Sequence, residues 1–370
     1  MKISIEVYGA EHEAEAAAFN RRMREGNAPT DFLLVERMAP PAFRSGVTAT
    51  QWVAVDEQGH VRGGVLSWDH QGTVGHIEQR VINLQSPLSE GIIDPAFFLV
   101  GSQIIKFFLR QTPYVYIVGM GAEDRPLPRV LKAMGWTVRP VPFFFRMLRP
   151  ARCVRQLGPL RNSPWKRIAG AIAAATGAAS IGAAVVHRAT APTRKAAAEY
   201  VAEEATSWGD WTADAWSSFV PSVTFSVLRN QDNLSFYYPF QRDHLKAWKL
   251  KRGAHVEGWF ALAISTMKGS AYFGNLKVAT LTDCVGSPDA IRAGCLLAVE
   301  QARREGADLF ITNQSHVALQ EACIGAGFRR GPSNYMLATS KLLTQESDPP
   351  DSTYVTRRDG DGLINLLPAP

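Results

Sequence analysis

Trp52-Val-Ala-Val-Asp-Glu-Gln-Gly-His-Val-Arg-Gly-Gly64 reads as strand, tight turn, strand, with apolar residues flanking a polar turn that ends in glycine. Trp248-Lys-Leu-Lys-Arg-Gly-Ala-His-Val-Glu-Gly-Trp259 reads the same way. Both carry a His-Val-charged-Gly tetrad, His60 to Gly63 and His255 to Gly258, 195 residues apart. A second pair follows at almost the same offset. Tyr114-Val-Tyr-Ile-Val118, a helix closing on Gly135-Trp136, Pro140 and Phe143-Phe-Phe145 is echoed by Asp308-Leu-Phe-Ile-Thr312, Gly327-Phe328, Pro332 and Tyr335-Met-Leu337. Two tandem copies of one unit account for both repeats.

A length of 370 residues with 46% apolar content suits two packed units. The amino terminus has no long apolar run, so no secretory signal is expected. Cys153, Cys284, Cys295 and Cys323 show no Cys-x-x-Cys pair and no metal-ligand spacing, which argues against structural disulfides, zinc or any other metal and for a cytoplasmic chain.

Charge is unevenly spread. Residues 125 to 198 hold fourteen Lys and Arg and no Asp or Glu, within a chain of net charge +6, so the remainder is acidic. A basic stretch of this kind draws an acidic carrier protein or an anionic membrane surface, placing the chain peripherally at the membrane; nucleic acid is not expected. The plain alternative is a solvated linker. Inside it, 168 to 186 is an uncharged run made mostly of Ala and Gly. An interdomain helix ranks first, a surface-lying helix second and a spanning helix third, because few residues supply strong apolar transfer energy.

In the first copy the pattern predicts strands at 3–7 and 74–84, helices at 14–24, 97–110 and 127–134, the hairpin at 51–68, a buried strand at 114–120 and a returning strand at 137–148. The second copy predicts helices at 195–204, 213–219, 289–306 and 315–326, the hairpin at 247–265, a strand at 276–284, a strand at 308–312 and a final strand pair ending at Ala338. This is an α/β chain with mixed sheets and helices on both faces. The divisions are 1–150, a basic Ala-rich linker helix at 151–196, 197–343, and a tail at 344–370. In that tail 345–352 is expected to be loosely ordered, and the Asp-Gly pairs near 359–362 are expected to make tight turns.

The order of a hairpin feeding a central strand and then a long helix resembles the GNAT acyltransferase superfamily over about 1–150 and 197–342. Its best local match is strand, Asn313, helix, Gly327-Phe328, strand. The resemblance implies two tandem GNAT-like domains. It also implies a central strand that splays from its neighbour so that an acyl thioester and its pantetheine arm insert as an added strand, with the phosphates on the next helix's amino end. It places the thioester arm against Thr282-Asp283-Cys284-Val285, and the phosphates near Arg292 and Gly294, with Asn313 at the neighbouring strand end. Arg292-Ala-Gly294 departs from the family's phosphate loop. The tyrosine that protonates the thiolate corresponds to Cys323 and, in the first copy, Leu131.

The first copy is therefore expected to be a scaffold or acceptor-site wall, and the second to bind acyl-CoA or an acyl-carrier phosphopantetheine. His316 is the expected base and Asp283 its orienter, against the alternative that Asn-Gln-Ser-His caps a helix through Ser315. Tyr237 and Tyr238 read as core or acceptor pocket, and Cys323 as a small buried residue. The function expected is N-acyl transfer to a small-molecule amine. The alternatives are an aminoacyltransferase of the peptidoglycan-bridge type and a degenerate, non-catalytic binding protein.

Overall fold

A computed structural model describes residues 2–29, 33–34, 42–44, 46–158, 197–240, 242 and 244–360. The Ala-rich run and most of the linker fall outside them. The first half contains β1 (Ile3–Val7), α1 (Glu13–Glu25), β2 (Ala42–Arg44), β3 (Val47–Asp56), β4 (Val61–Val74), β5 (Ile77–Ser89), α2 (Val100–Leu109), β6 (Val115–Val118), α3 (Pro126–Ala133), β7 (Thr137–Pro140), β8 (Phe143–Met147) and α4 (Pro150–Gln156). The second contains β9 (Val201–Ala205), α5 (Trp211–Phe219), β10 (Phe225–Val227), α6 (Gln231–Tyr237), β11 (Leu245–Arg252), β12 (His255–Thr266), β13 (Lys277–Gly286), α7 (Pro288–Arg304), β14 (Leu309–Asn313), α8 (Val317–Gly325), β15 (Arg329–Gly331), β16 (Met336–Thr339) and α9 (Lys341–Glu346).

The repeated tetrad has a steric cause. A β-carbon on Gly63 would lie 2.4 Å from the Leu88 carbonyl oxygen, and one on Gly258 would lie 2.6 Å from that of Val285. In both halves the hairpin's second strand passes too close to the end of the central strand for any side chain.

Two mixed sheets result. One runs β1-β3-β4-β5-β6-β16-β7, with β10 added on β4 and β2 on β3; the other runs β9-β11-β12-β13-β14-β8-β15. Read in these directions the orders match position by position, except that each half's last strand sits in the other half's sheet. β8 pairs antiparallel with β14 and β16 pairs antiparallel with β6. The expected final strand pair is therefore not a pair. Pro140 ends β7, Pro142 stands between β7 and β8, and Pro332 between β15 and β16, where a missing N–H stops a ladder. The two crossing chains meet there: Val141 N donates to Tyr335 O at 2.8 Å, and Ser333 Oγ donates to Val141 O at 2.6 Å.

One further expectation changes. Residues 195–204, rich in Ala and Glu, were expected to be helical, but Val201–Ala205 is an edge strand on β11. Glu203 stands among lysines there, 2.9 Å from Lys251 Nζ and 3.7 Å from Lys249 Nζ, and cross-strand charge pairing overrides local propensity. The tail through Gly360 is also packed: Thr353, Tyr354, Val355 and Thr356 are 0–1% exposed. The largest apolar cluster takes Trp68, Tyr116 and Phe144 from the first half and Phe225, Trp259 and Phe310 from the second, so the main core lies between the sheets.

Candidate functional site

In each sheet the central parallel pair holds together only briefly. β13 meets β14 from Val278↔Leu309 to Thr280↔Ile311, and β5 meets β6 at Ile82↔Val115 and Asn83↔Tyr116. Beyond those points the strands part. A bulge marks each parting: the register against the hairpin shifts between Ala261 and Leu262 in one sheet and between Gly64 and Leu66 in the other. Bulges bend a strand and end its pairing, so both halves contain a gap between two strand edges.

The second-half gap is filled by the chain's own tail. Ser315 N donates to Val355 O at 3.2 Å, Val355 N donates to Ser315 Oγ at 2.7 Å, Ser315 Oγ donates to Thr353 O at 2.5 Å, and Gln314 bridges Thr356. On its other side Tyr354 N donates to Phe225 O at 2.7 Å. The Tyr354 hydroxyl donates to Asp283 and accepts from Cys284 N at 3.2 Å, and its ring meets Phe219 edge-on at 4.9 Å. Both gap edges, residues 281–286 and 311–316, are buried throughout.

Under the tail lies a buried charge cluster. Arg229 Nε donates to Asp283 Oδ2 at 2.8 Å, and Nη2 donates to both Asp359 oxygens at 2.9 and 2.8 Å. Tyr238 OH donates to Asp283 Oδ2 at 2.9 Å. Burial alone disfavours the guanidinium, but the two carboxylates outweigh it and hold Arg229 charged. Burial raises the Asp283 carboxyl while Arg229 opposes that rise.

These contacts place the residues that sequence singled out. Asp283 does not orient His316: its oxygens are taken by Arg229, Tyr238 and Tyr354. His316 is held by the Ser222 carbonyl, 2.9 Å from Nε2, which makes Nε2 the protonated nitrogen; burial lowers its pKa. Ser315 is not the helix cap either. His316 occupies that position without a side-chain cap bond, while the Ser315 hydroxyl is committed to the tail.

The donor-binding residues are likewise dispersed. Cys284 and Val285 are core, and Gly294 lets α7 approach the hairpin, since a β-carbon there would lie 2.9 Å from Leu250 and 3.0 Å from Cys284 Sγ. Arg292 is exposed and paired with Asp289 at 2.7 Å. Asn313 Nδ2 donates to Val141 O at 3.2 Å, tying β14 to the crossover. The amino end of α7 is answered by its own residues. Ser287 caps it, accepting from Ala290 N, and Asp289 stands in its first turn. Next to it, Ser287 N donates to Glu257 O, and Tyr200 donates to the Glu257 carboxylate at 2.6 Å. A helix end already provided with an N-cap and a carboxylate is a poor seat for phosphate.

Tyr237 and Tyr238 are core. Tyr237 OH lies 2.8 Å from His70 Nδ1 and Tyr116 OH lies 3.1 Å from Nε2, a chain joining the two halves. Burial lowers the His70 pKa to about 3. Sequence reasoning missed Arg229, Asp359 and Tyr354. Only Thr353-Tyr-Val-Thr356, four consecutive strand formers after a proline-bearing stretch, offered a signal. Among the described residues no group of three or more His, Cys, Asp or Glu is placed to hold a metal, and no helix is long and apolar enough to cross a membrane.

No protein-family profile and no curated protein matches the sequence. Solved structures do. A Saccharomyces cerevisiae N-myristoyltransferase with bound myristoyl-CoA is 10% identical with a TM-score of 0.47, covering 92% of this chain and 78% of its own. An Enterococcus faecalis protein described as a probable N-acyltransferase is 11% identical at TM-score 0.49, covering 94% and 75%. A tandem GNAT protein from the clavulanic acid biosynthesis pathway is 12% identical at TM-score 0.44, covering 92% and 99%. These are similarities of chain path. The chain's own strand orders and paired gaps show a mixed α/β fold of two matching halves.

Proposed function

We propose that this chain is an N-acyltransferase that moves an acyl group from a thioester, acyl-CoA or an acyl-carrier phosphopantetheine, to a small-molecule amine. The observation that supports it is the pair of gaps beside bulged central strands. There a parallel ladder stops after two or three residue pairs and leaves strand edges that an extended thioester arm would line. In the reaction the amine nitrogen attacks the thioester carbonyl, the C–N bond forms, the C–S bond breaks, and the thiolate takes up the proton the amine gives up. The basic stretch 125–198 is the proposed contact for an acidic carrier or an anionic membrane surface.

No His, Asp, Glu, Lys or Tyr lies at 86–89 or 119–122, the edges of the first-half gap, and Glu123 is held by Lys132. Second-half candidates are sealed under the tail. The amine's deprotonation then falls to solvent, so the rate should rise with pH along the amine's own titration. Thiol release from acetyl-CoA, longer acyl-CoAs and an acylated carrier, followed against a panel of amines from pH 6 to 10, tests this. Amine-dependent release supports it; no release from any donor rejects it. A plateau governed by one enzyme group near neutrality would reassign the base. The degenerate reading is favoured by one observation, the tail in the second-half gap, and it applies to that half.

A further inference from the structure

We infer that the donor site lies in the first half, at the gap between β5 and β6, and that the chain takes one phosphopantetheine thioester; this rests on the acyl-transfer reading above. The two gaps differ in the property that decides occupancy. Every residue on both edges of the second gap is buried, and strand-like tail residues already use its hydrogen-bonding groups. At the first gap Ser86 is exposed, and Pro87, Ser89, Gly119, Met120 and Gly121 are half-buried. Among the described residues the tail reaches its inner end, where Gln85 Nε2 donates to Gly360 O at 2.5 Å and Gly360 lies against Val118.

The first gap is also shaped and charged for such a ligand. Gly119 and Gly121 have φ of 78° and 77° and flank Met120, whose side chain packs on the core, so a chain can approach the backbone of this turn closely at the two glycines. Phe98 and Leu99, 65% and 59% exposed, lead into α2, and the stretch before them is tied to the end of β5 by a 3.1 Å bond from Ser89 Oγ to Phe97 O. They offer apolar surface to the arm. Arg125 packs beside the turn, since a β-carbon on Gly121 would lie 3.5 Å from its Cγ, and Arg129 follows one helical turn later. Both are exposed, and neither makes an ion pair with another described residue, in contrast to Arg292 in the second half. Two uncommitted guanidinium groups at the mouth suit the phosphates of the donor.

Calorimetry on the full chain with acetyl-CoA, and separately with an acetylated phosphopantetheinyl carrier protein, decides the point. The expected result is one site per chain for at least one donor, weakened ten-fold or more by the exposed double substitution Arg125→Glu, Arg129→Glu and unchanged by Arg292→Ala. Binding that ignores the double substitution, or a stoichiometry of two, overturns the placement and leaves acyl transfer standing. No binding of either donor to the wild-type chain removes both.

Discussion

Arg229 shows how much one side chain organises. It is fully buried, yet its guanidinium serves Asp283 from the central strand and Asp359 from the tail, and it stands two residues beyond β10, the strand that pairs with β4. Arg358, also buried, stacks on Tyr238 at 4.9 Å, so the tail brings one positive and one negative charge to a cleft that already holds one of each. Buried charges persist where they are compensated in this way. His70 illustrates the opposite device, a titratable ring kept neutral between two tyrosine hydroxyls. Its pKa is about 3 in the fold against 6.5 ordinarily, so between those values the unfolded chain carries a proton that the folded chain does not. Stability gained from this group is present above about 6.5 and lost as pH falls towards 3. Denaturant titrations at pH 7 and 4.5 should show His70→Gln losing less stability than wild type, with slopes differing by up to about 1.4 kcal/mol per pH unit. Equal slopes would show that His70 charges in the fold.

Among the elements, the tail segment 353–356 is one to which the sequence reading gave no place. Polar and proline-bearing residues before it suggested loose order, but Tyr354 fills the space between Phe219 and Asp283 while its neighbours complete the edge at Ser315. Tyr354→Ala should cost about 3–5 kcal/mol in equilibrium unfolding, the usual range for emptying a buried aromatic site. A loss under about 1 kcal/mol would mean the segment is not part of the folded core. The hairpins and the helices α1, α2, α3, α5, α7 and α8, by contrast, were legible. Period-two alternation, Gly at turns and the repeated tetrad report local sterics that both copies share. Strand ends and the 201–205 edge were not legible, because pairing partners, not propensity, set them.

At the scale of the molecule, the exchange of β8 and β16 binds the halves into one body. Each sheet takes its next-to-last strand from the other half, β10 adds a third crossing, and the largest apolar cluster spans both. Residues 1–158 and 197–370, coexpressed as separate chains, should copurify through size exclusion and separate only in denaturant, while either alone should be insoluble or unfolded. Independent folding of either piece would show the exchanged strands to be dispensable.

The sequence by itself determined the two copies, their mixed α/β elements and the positions of the hairpins and central strands, because those depend on turn chemistry, alternation and close backbone approach within some forty residues. It also offered His316, Asp283 and Arg292 as site residues on their chemistry alone. Only the tertiary structure decided that Asp283 serves Arg229, that His316 is held by Ser222, that Arg292 pairs with Asp289, and that the tail occupies the gap between them. Apart from the Arg292–Asp289 pair, one helical turn apart, those outcomes depend on contacts between residues 40 to 130 apart, such as Ser315 with Val355 and Arg229 with Asp359. No local pattern encodes such distances, and the competition between a ligand and the chain's own tail for one strand edge is settled only once the edge exists.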